Sequence, residues 1–230
     1  MERIDAVEIV NEIEKLAKDP AHQKRLREAE ERERLAKMND NRIEALAHLK
    51  TVGINYNKWA KLKFETEYEY QQKMLKAARE FTKDIQKGLI ITGQTGAGKT
   101  HIMSQVLIGL INRGIKGRYF KWLEHGAYLK SIKNSPEFIY ELNKYKKAPL
   151  LYIDDFLKVG KNSAPTDADI GLAFSILDYR KENDLPTMIS CERSIEELLA
   201  IDEAVGGRVM ELCKLRVELA AYKNVKNYRK

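Results

Sequence analysis

The chain has 230 residues, 33% of them charged, and a formal net charge of +7 at pH 7. This length suits one well-buried α/β core with an extension, or two small domains. The excess of basic over acidic residues favours a polyanionic partner, with nucleic acid as the leading candidate. The alternative is that these residues simply form a solvated basic surface.

The cysteine content and the hydropathy pattern narrow the class of protein further. Cys191 and Cys213 are the only cysteines, and they form no C-x-x-C pair, which argues against a zinc module. With no signal peptide after Met1, they predict a cytoplasmic protein. No apolar run approaches the roughly 20 residues that a membrane-spanning helix needs, so no membrane partner is expected.

The first 50 residues are predicted to form a helical arm. Its opening part carries one apolar face and should stop near Asp19 and Pro20. Residues 21–50 are dense in Arg, Lys, Glu and Ala and hold too little apolar surface for an independent globule. We interpret residues 1–50 as an arm that docks on a partner or on neighbouring copies, and a solvated helix supported by charge pairs is the alternative. The apolar face consists of Ile4, Val7, Val10, Ile13 and Leu16.

From residue 51 onward the pattern predicts an α/β domain. A turn near Gly53 precedes a helix over residues 68–85, and beyond Gly88 short β-prone apolar runs alternate with helical stretches. Alternation of this kind indicates a parallel five-stranded sheet covered on both faces, with ligands bound at the carboxyl ends of the strands. The five runs are residues 89–92, 117–122, 150–153, 186–190 and, more weakly, 216–221.

A phosphate-loop motif, G-x-x-x-x-G-K-[ST], directly follows the first run. Its glycines allow backbone N–H groups to surround phosphates, Lys99 supplies positive charge to the β and γ oxygens, and Thr100 offers a hydroxyl to Mg²⁺. The helix that begins at His101 turns its positive end to the same place, so His101 is included in the predicted site. An ordinary glycine turn is the alternative. The motif consists of Gly93, Gln94, Thr95, Gly96, Ala97, Gly98, Lys99 and Thr100.

Two aspartates end the third apolar run. Asp154 is the predicted Mg²⁺ ligand, and Asp155 is predicted to orient or deprotonate the water that attacks the γ-phosphate. Taken alone, such a pair is more typical of a strand entering an acidic turn. Downstream of a phosphate loop, it indicates a Walker B element.

Three further side chains are candidates for the same chemistry. Ser190 and Glu192 end the next strand, near the expected γ-phosphate, where one of them would help to hold the water and report hydrolysis. Arg208 follows two glycines at the start of a predicted helix and is the candidate arginine finger from a neighbouring subunit. A surface salt bridge from this arginine to Glu203 or Glu211 is the alternative.

In this order and spacing, the elements resemble the AAA+ ATPases that load replicative helicases, the DnaC/DnaI type of bacteria and their phages. The resemblance covers residues 50–230 approximately and implies an AAA+ P-loop NTPase core at 51–230, preceded by the arm at 1–50. The segments that carry it are Val52-Gly53-Ile54 with Tyr56, the phosphate loop, Ile153-Asp154-Asp155-Phe156, Pro186-Thr187, Gly207-Arg208-Val209 and Asn227-Tyr228-Arg229.

The resemblance also implies cofactors and partners. ATP and Mg²⁺ would bind between subunits that self-associate, and Arg208 falls where the family places its finger. The subunits would form an open or spiral ring with single-stranded DNA along its inside. The arm would bind a hexameric replicative DNA helicase. The chain would then be an ATPase that delivers the helicase onto single-stranded DNA when replication begins.

Two departures from the family pattern affect the predicted chemistry. Glu192 stands where a neutral side chain is common, and its charge would repel phosphate unless it is paired, so we expect it to turn outward and leave sensing to Ser190. Asp155 is one methylene shorter than the glutamate of many AAA+ proteins. Hydrolysis is therefore expected to be slow, and stimulated by DNA or by a partner.

Basic and aromatic side chains after Trp122 are candidates for holding single-stranded DNA. The aromatic members could equally belong to the core. The loop over residues 157–168, with Lys158 and Lys161, is a second candidate, and Arg180 is a weaker candidate for interface chemistry. The first group consists of Tyr128, Lys130, Lys133, Phe138, Tyr140, Lys144, Lys146 and Lys147.

Three other functions remain open from the residues. An IstB-type transposition helper shares most of the core motifs and would bind a transposase instead of a helicase. A small-molecule kinase would need an arginine-bearing lid and an acceptor pocket, neither of which the sequence indicates. An adaptor that uses nucleotide only to fold would tolerate loss of Lys99.

Overall fold

The computed structural model describes residues 17–54, 56–160 and 163–228. The short helix predicted from Ile4 to Leu16 lies outside these residues, as do Lys161 and Arg229.

Nine helices, five strands and short helical turns follow one another along the described residues. The first half comprises α1 (Pro20–Thr51), α2 (Tyr56–Lys61), α3 (Glu69–Lys83), β1 (Leu89–Thr92), α4 (Lys99–Asn112), β2 (Gly117–Lys121) and α5 (Ala127–Ser131). The second half comprises α6 (Glu137–Lys146), β3 (Leu150–Asp154), α7 (Asp167–Glu182), β4 (Thr187–Cys191), α8 (Ile195–Ile201), α9 (Glu203–Leu212) and β5 (Leu215–Glu218). None of the helices in the described ranges has the length and apolar character needed to cross a bilayer.

The five strands form one parallel sheet in the order β2-β3-β4-β1-β5, which confirms the predicted fold class. Every residue of β1, β3 and β4 is buried, because helices cover both faces. The weakly predicted last strand ends earlier than expected, at Glu218, where a 3₁₀ turn begins. This order places the carboxyl ends of β1, β3 and β4 side by side.

Helix α1 is a single helix of 32 residues, capped by the Asp19 side chain and started by Pro20. Its last turns pack on the sheet domain, where Ala45 and Leu49 are buried in the core. The His48 Nε2 atom lies 3.1 Å from the Tyr119 backbone nitrogen, and burial lowers the pKa of His48 to about 4, so its neutral ring can accept this hydrogen bond. The side chains of residues 23–37, in contrast, are all exposed.

Arg180, near the end of α7, is completely buried, so its predicted role at an interface is wrong. Its guanidinium donates to the Thr187 hydroxyl at 2.9 Å and to the backbone carbonyls of Tyr145, Ala148 and Pro186 at 3.0, 2.8 and 2.5 Å. A buried arginine is tolerated when its donors are satisfied in this way. Arg180 therefore joins the end of α6 to the start of β4.

We expect Arg180→Met to destabilise the protein by about 3 kcal/mol or more, because it leaves several buried carbonyls without a donor. Urea unfolding followed by circular dichroism measures this change. Arg113→Met is the matched control, since Arg113 makes one long hydrogen bond, of 3.3 Å, at an exposed site. A loss below about 1 kcal/mol for Arg180→Met would contradict the structural role.

Candidate nucleotide-binding site

The phosphate loop joins β1 to α4 in the predicted strand, loop and helix order. Gly96 and Gly98 have φ angles of 83° and 91°, in the left-handed region that favours glycine. A Cβ atom at Gly96 would lie 1.9 Å from Oδ1 of Asn227. The loop therefore requires glycine both for its turn and for the close approach of a neighbouring segment.

Lys99 folds back along this loop. Its Nζ atom donates to the Gly93 carbonyl at 2.5 Å and to the Gln94 carbonyl at 2.9 Å. Burial lowers the pKa of Lys99, while the nearby carboxylates of Glu192 and Asp155 oppose that shift. A largely buried ammonium group held at the loop can bind phosphate oxygens with little exposure to water.

Asp154 occupies the end of β3 and is almost completely buried. Its Oδ1 atom accepts hydrogen bonds from Thr100 at 3.0 Å, from Tyr152 at 2.7 Å and from Ser190. Its Oδ2 atom accepts one from Tyr119 at 2.7 Å. Four hydroxyl groups from four elements therefore stabilise one carboxylate.

Thr100 and Asp154 fit a magnesium site. Their side-chain oxygens lie 3.0 Å apart, at the carboxyl end of the sheet and beside the loop, and Mg²⁺ prefers oxygen ligands. When bound, the ion would neutralise negative charge on the phosphate oxygens. The predicted pair of Mg²⁺ ligands is thus brought together.

Ser190 lies in the site but faces Asp154. Its hydroxyl is buried, donates to Asp154 and accepts the backbone N–H of Asp155 at 3.2 Å. Ser190 therefore hydrogen-bonds to both aspartates, to the side chain of Asp154 and to the backbone of Asp155.

Glu192 faces the phosphate loop, so the expectation that it turns outward is wrong. It accepts hydrogen bonds from the Thr95 hydroxyl and from the Lys158 ammonium, the latter at 2.6 Å. Lys158 also lies 3.2 Å from Oδ2 of Asp155. Lys158, predicted to reach toward DNA, instead turns back onto the site and supplies the pairing that Glu192 needs.

A cavity of about 420 Å³ connects the phosphate loop to an aromatic end that sequence reasoning missed. The rings of Trp59 and Phe64 each lie 5.6 Å from the ring of His101. Two aromatic residues in the lysine-rich segment 58–64 are the signal that could have indicated this wall. The lining residues are Lys58, Trp59, Leu62, Lys63, Phe64, Glu65, Gln71, Thr95, Gly96, Gly98, Lys99, Thr100, His101, Asp155, Glu192 and Tyr228.

The residues from Val225 to Tyr228 cross the phosphate loop. The Tyr228 backbone N–H donates to the Gly96 carbonyl at 3.0 Å, and the Gln94 side chain donates to the Val225 carbonyl at 2.6 Å. The Tyr228 hydroxyl donates to Glu65 at 2.6 Å. This segment therefore attaches the loop to the aromatic end of the cavity.

Arg208 lies on α9 and does not line the cavity of its own chain. Its guanidinium pairs with Asp178 at 2.8 Å and with Glu211 at 2.7 Å, and it lies over the ring of Phe174. The pairing with Glu211 is the surface contact that the sequence left as the alternative.

The candidate DNA-binding group divides into paired and exposed members. Lys130 pairs with Asp169 at 2.5 Å, Lys146 donates to Ser175 at 3.2 Å, and Phe138 packs against the core. Tyr128 and Tyr140 are exposed, together with Lys133 and Lys147.

The match to a known family decides the identity of this site. The model of the family described as IstB-like ATP binding protein matches residues 7–203. The chain belongs to the IstB-like ATP-binding protein family. Its matched range includes the phosphate loop, Asp154, Asp155 and the strand that carries Ser190.

Two curated proteins of Bacillus subtilis (strain 168) are similar in sequence to this IstB-like chain. The uncharacterized protein YqaM is 34% identical over 146 residues, which cover 60% of this chain and 46% of YqaM. The phage-like element PBSX protein XkdC is 36% identical over 137 residues, which cover 58% of this chain and 51% of XkdC. The aligned part thus spans about half the length of these curated relatives.

A solved structure shows the same fold. The crystal structure of the DnaC helicase loader superposes with a TM-score of 0.59 and 22% identity, covering 67% of this chain and 93% of that one. This likeness shows that the IstB-like chain and that protein share a fold.

We expect Lys99→Met to weaken ATP binding about 10- to 100-fold, because it removes the charge-assisted contact to phosphate. Titration with a fluorescent ATP analogue measures the dissociation constant. Lys87→Met, which removes a half-exposed ammonium paired with Glu80, is the control and should bind as wild type does. Equal affinity of Lys99→Met and wild type would refute the assignment of the phosphate site.

Proposed function

We propose that the chain is an ATP-dependent loader that binds a hexameric replicative DNA helicase and delivers it onto single-stranded DNA during the initiation of replication. The observation that carries the proposal is the combination of an assembled ATPase site with a projecting helix on the fold of a helicase loader. ATP binding itself follows from the family.

In this proposal each side chain of the site has a separate task. Lys99 and the loop N–H groups bind the triphosphate, and Thr100 and Asp154 hold Mg²⁺. Asp155 orients the attacking water and receives its proton. Because Asp155 is one methylene shorter than glutamate, turnover is slow until a partner or DNA shifts the site toward hydrolysis.

Arg208 acts on the nucleotide of a neighbouring subunit. Its side chain is partly exposed on α9, and the acids Asp178 and Glu211 hold it in one orientation. An arginine in this position neutralises charge on the transferring phosphoryl group only when a second copy docks against it. ATP therefore joins subunits as well as supplying energy.

The exposed part of α1 provides the helicase-binding arm. Residues 23–37 extend about 22 Å at 1.5 Å per residue and contain six Lys or Arg and four Glu. The last turns of the same helix are anchored by Ala45, His48 and Leu49. An arm fixed at one end transmits the position of its partner to the ATPase domain.

The exposed aromatic and basic side chains after β2 provide the DNA contact. Tyr140 is 68% exposed, with the Lys144 ammonium 4.6 Å from the centre of its ring. Exposed rings that stack on bases, next to lysines that follow the phosphates, hold single strands without sequence preference.

A transposition helper of IstB type is the second candidate function. The name of the matched family favours it. The nucleotide site would work in the same way, and the partner of the arm would be a transposase. The two functions differ in what the arm binds.

A pull-down tests the partner of the arm. We expect immobilised full-length chain to retain the candidate cognate replicative helicase, and Arg25→Glu with Arg32→Glu to weaken retention at least about tenfold, since these residues share one exposed face. Lys73→Glu with Lys76→Glu, two exposed positions on α3, is the matched charge control. Retention of a transposase instead would support the second function, and retention of neither would refute both.

Mixing of variants tests the shared site. Arg208→Ala and Asp155→Asn should each lower ATP hydrolysis about 100-fold or more, measured with single-stranded DNA present. A one-to-one mixture should recover about a quarter of wild-type activity, because one interface in four joins an intact acid to an intact finger. Two folded variants that show no recovery on mixing would contradict a finger supplied by the neighbour.

A further inference from the structure

The turn after β3 has an unusual backbone. Asp155 and Leu157 have φ angles of 54° and 52°, although neither is glycine. Phe156 and Leu157 are buried in the core, and the Phe156 N–H donates to the Ser190 carbonyl at 2.9 Å. The Lys158 N–H then donates to the Asp155 carbonyl at 3.0 Å. Non-glycine residues hold such angles only where surrounding packing enforces them.

This turn returns the Lys158 side chain to the site. Its Nζ atom lies 3.2 Å from Oδ2 of Asp155 and 2.6 Å from Oε1 of Glu192. Both carboxylates line the nucleotide cavity, whereas Lys158 lies behind them and does not. The Thr95 hydroxyl of the phosphate loop donates to the same Glu192 oxygen. One ammonium therefore joins the ends of β3 and β4 directly beside the loop.

The charges in this cluster explain why a cation is needed. Two carboxylates facing a triphosphate would repel it. Partial burial would raise the pKa of Glu192, but hydrogen bonds from Lys158 and Thr95 hold it below its ordinary value. Lys158 offsets that negative charge and also fixes one oxygen of Asp155.

We propose that Lys158 is a positioning residue for ATP hydrolysis, which holds Asp155 in place toward the attacking water and neutralises Glu192 so that the phosphates can bind. The proposal rests on the ATPase function proposed above. It assigns two separable effects to one side chain: turnover through Asp155, and nucleotide affinity through Glu192.

Lys158→Met tests both effects, with ATP turnover and the dissociation constant for ATP measured separately. We expect kcat to fall about 10- to 100-fold and ATP to bind about threefold to tenfold more weakly. Lys158→Arg should retain most of both properties, because it keeps the charge. Lys87→Met is the control for loss of a lysine, and thermal unfolding checks that each variant is folded.

Two double variants separate positioning from a general structural effect. Adding Glu192→Gln to Lys158→Met should restore ATP affinity, because it removes the unpaired charge, while kcat stays low. Adding Lys158→Met to Asp155→Asn should lower kcat no further, because Lys158 acts through Asp155. If Lys158→Met fails to fold, Lys158→Gln replaces it in each comparison, because it also removes the ammonium charge.

The outcomes distinguish the two proposals. Wild-type chain that hydrolyses ATP, with normal kcat in Lys158→Met, overturns the role of Lys158 alone. A further loss of kcat in the Asp155→Asn background also overturns it. Wild-type chain that neither binds nor hydrolyses ATP overturns the proposed function, and the role of Lys158 with it.

Discussion

The buried carboxylate of Asp154 is the interaction on which the site depends. Burying a carboxylate is unfavourable unless its oxygens accept hydrogen bonds, and here four hydroxyl groups provide them. These groups come from the first turn of α4, from β2, from β3 itself and from β4. The arrangement exists only if β3 lies between β2 and β4, with the phosphate loop over their ends. The strand order therefore also fixes the position of Asp154, the proposed Mg²⁺ ligand.

Local sequence patterns predicted the features of this site that lie within short segments, namely the phosphate loop and Asp154. The phosphate loop and Asp154 each follow an apolar run directly, so the alternation of strands and helices was enough to bring them together. The roles of Arg180 and Arg208 could not be distinguished from local sequence patterns. Arg180 and Arg208 both lie on helices near acidic residues, and only the packing of α6 against α7 shows that the first is buried. Burial of a single long side chain depends on tertiary contacts, which periodicity does not reveal.

The direction of Glu192 shows a second limit. From sequence alone, an acid next to a triphosphate should turn away, and that expectation failed because a partner for it was not visible. Lys158 precedes Glu192 by 34 positions in the chain. It reaches Glu192 only because the turn before it has positive φ angles at Asp155 and Leu157. The aromatic end of the cavity escaped prediction for the same reason, since Phe64 and Tyr228 come from distant segments that meet only in the folded chain.

The anchoring of α1 gives the proposed arm a physical route to the nucleotide. His48 contacts the backbone of Tyr119 on β2, and the hydroxyl of that tyrosine donates to Asp154. A single residue, Tyr119, thus lies between the base of α1 and Asp154, the proposed Mg²⁺ ligand. Coupling between two sites requires an element with two arrangements that the two sites favour differently. Tyr119 is the residue at which such an element would act, because its backbone contacts the base of α1 and its hydroxyl donates to Asp154.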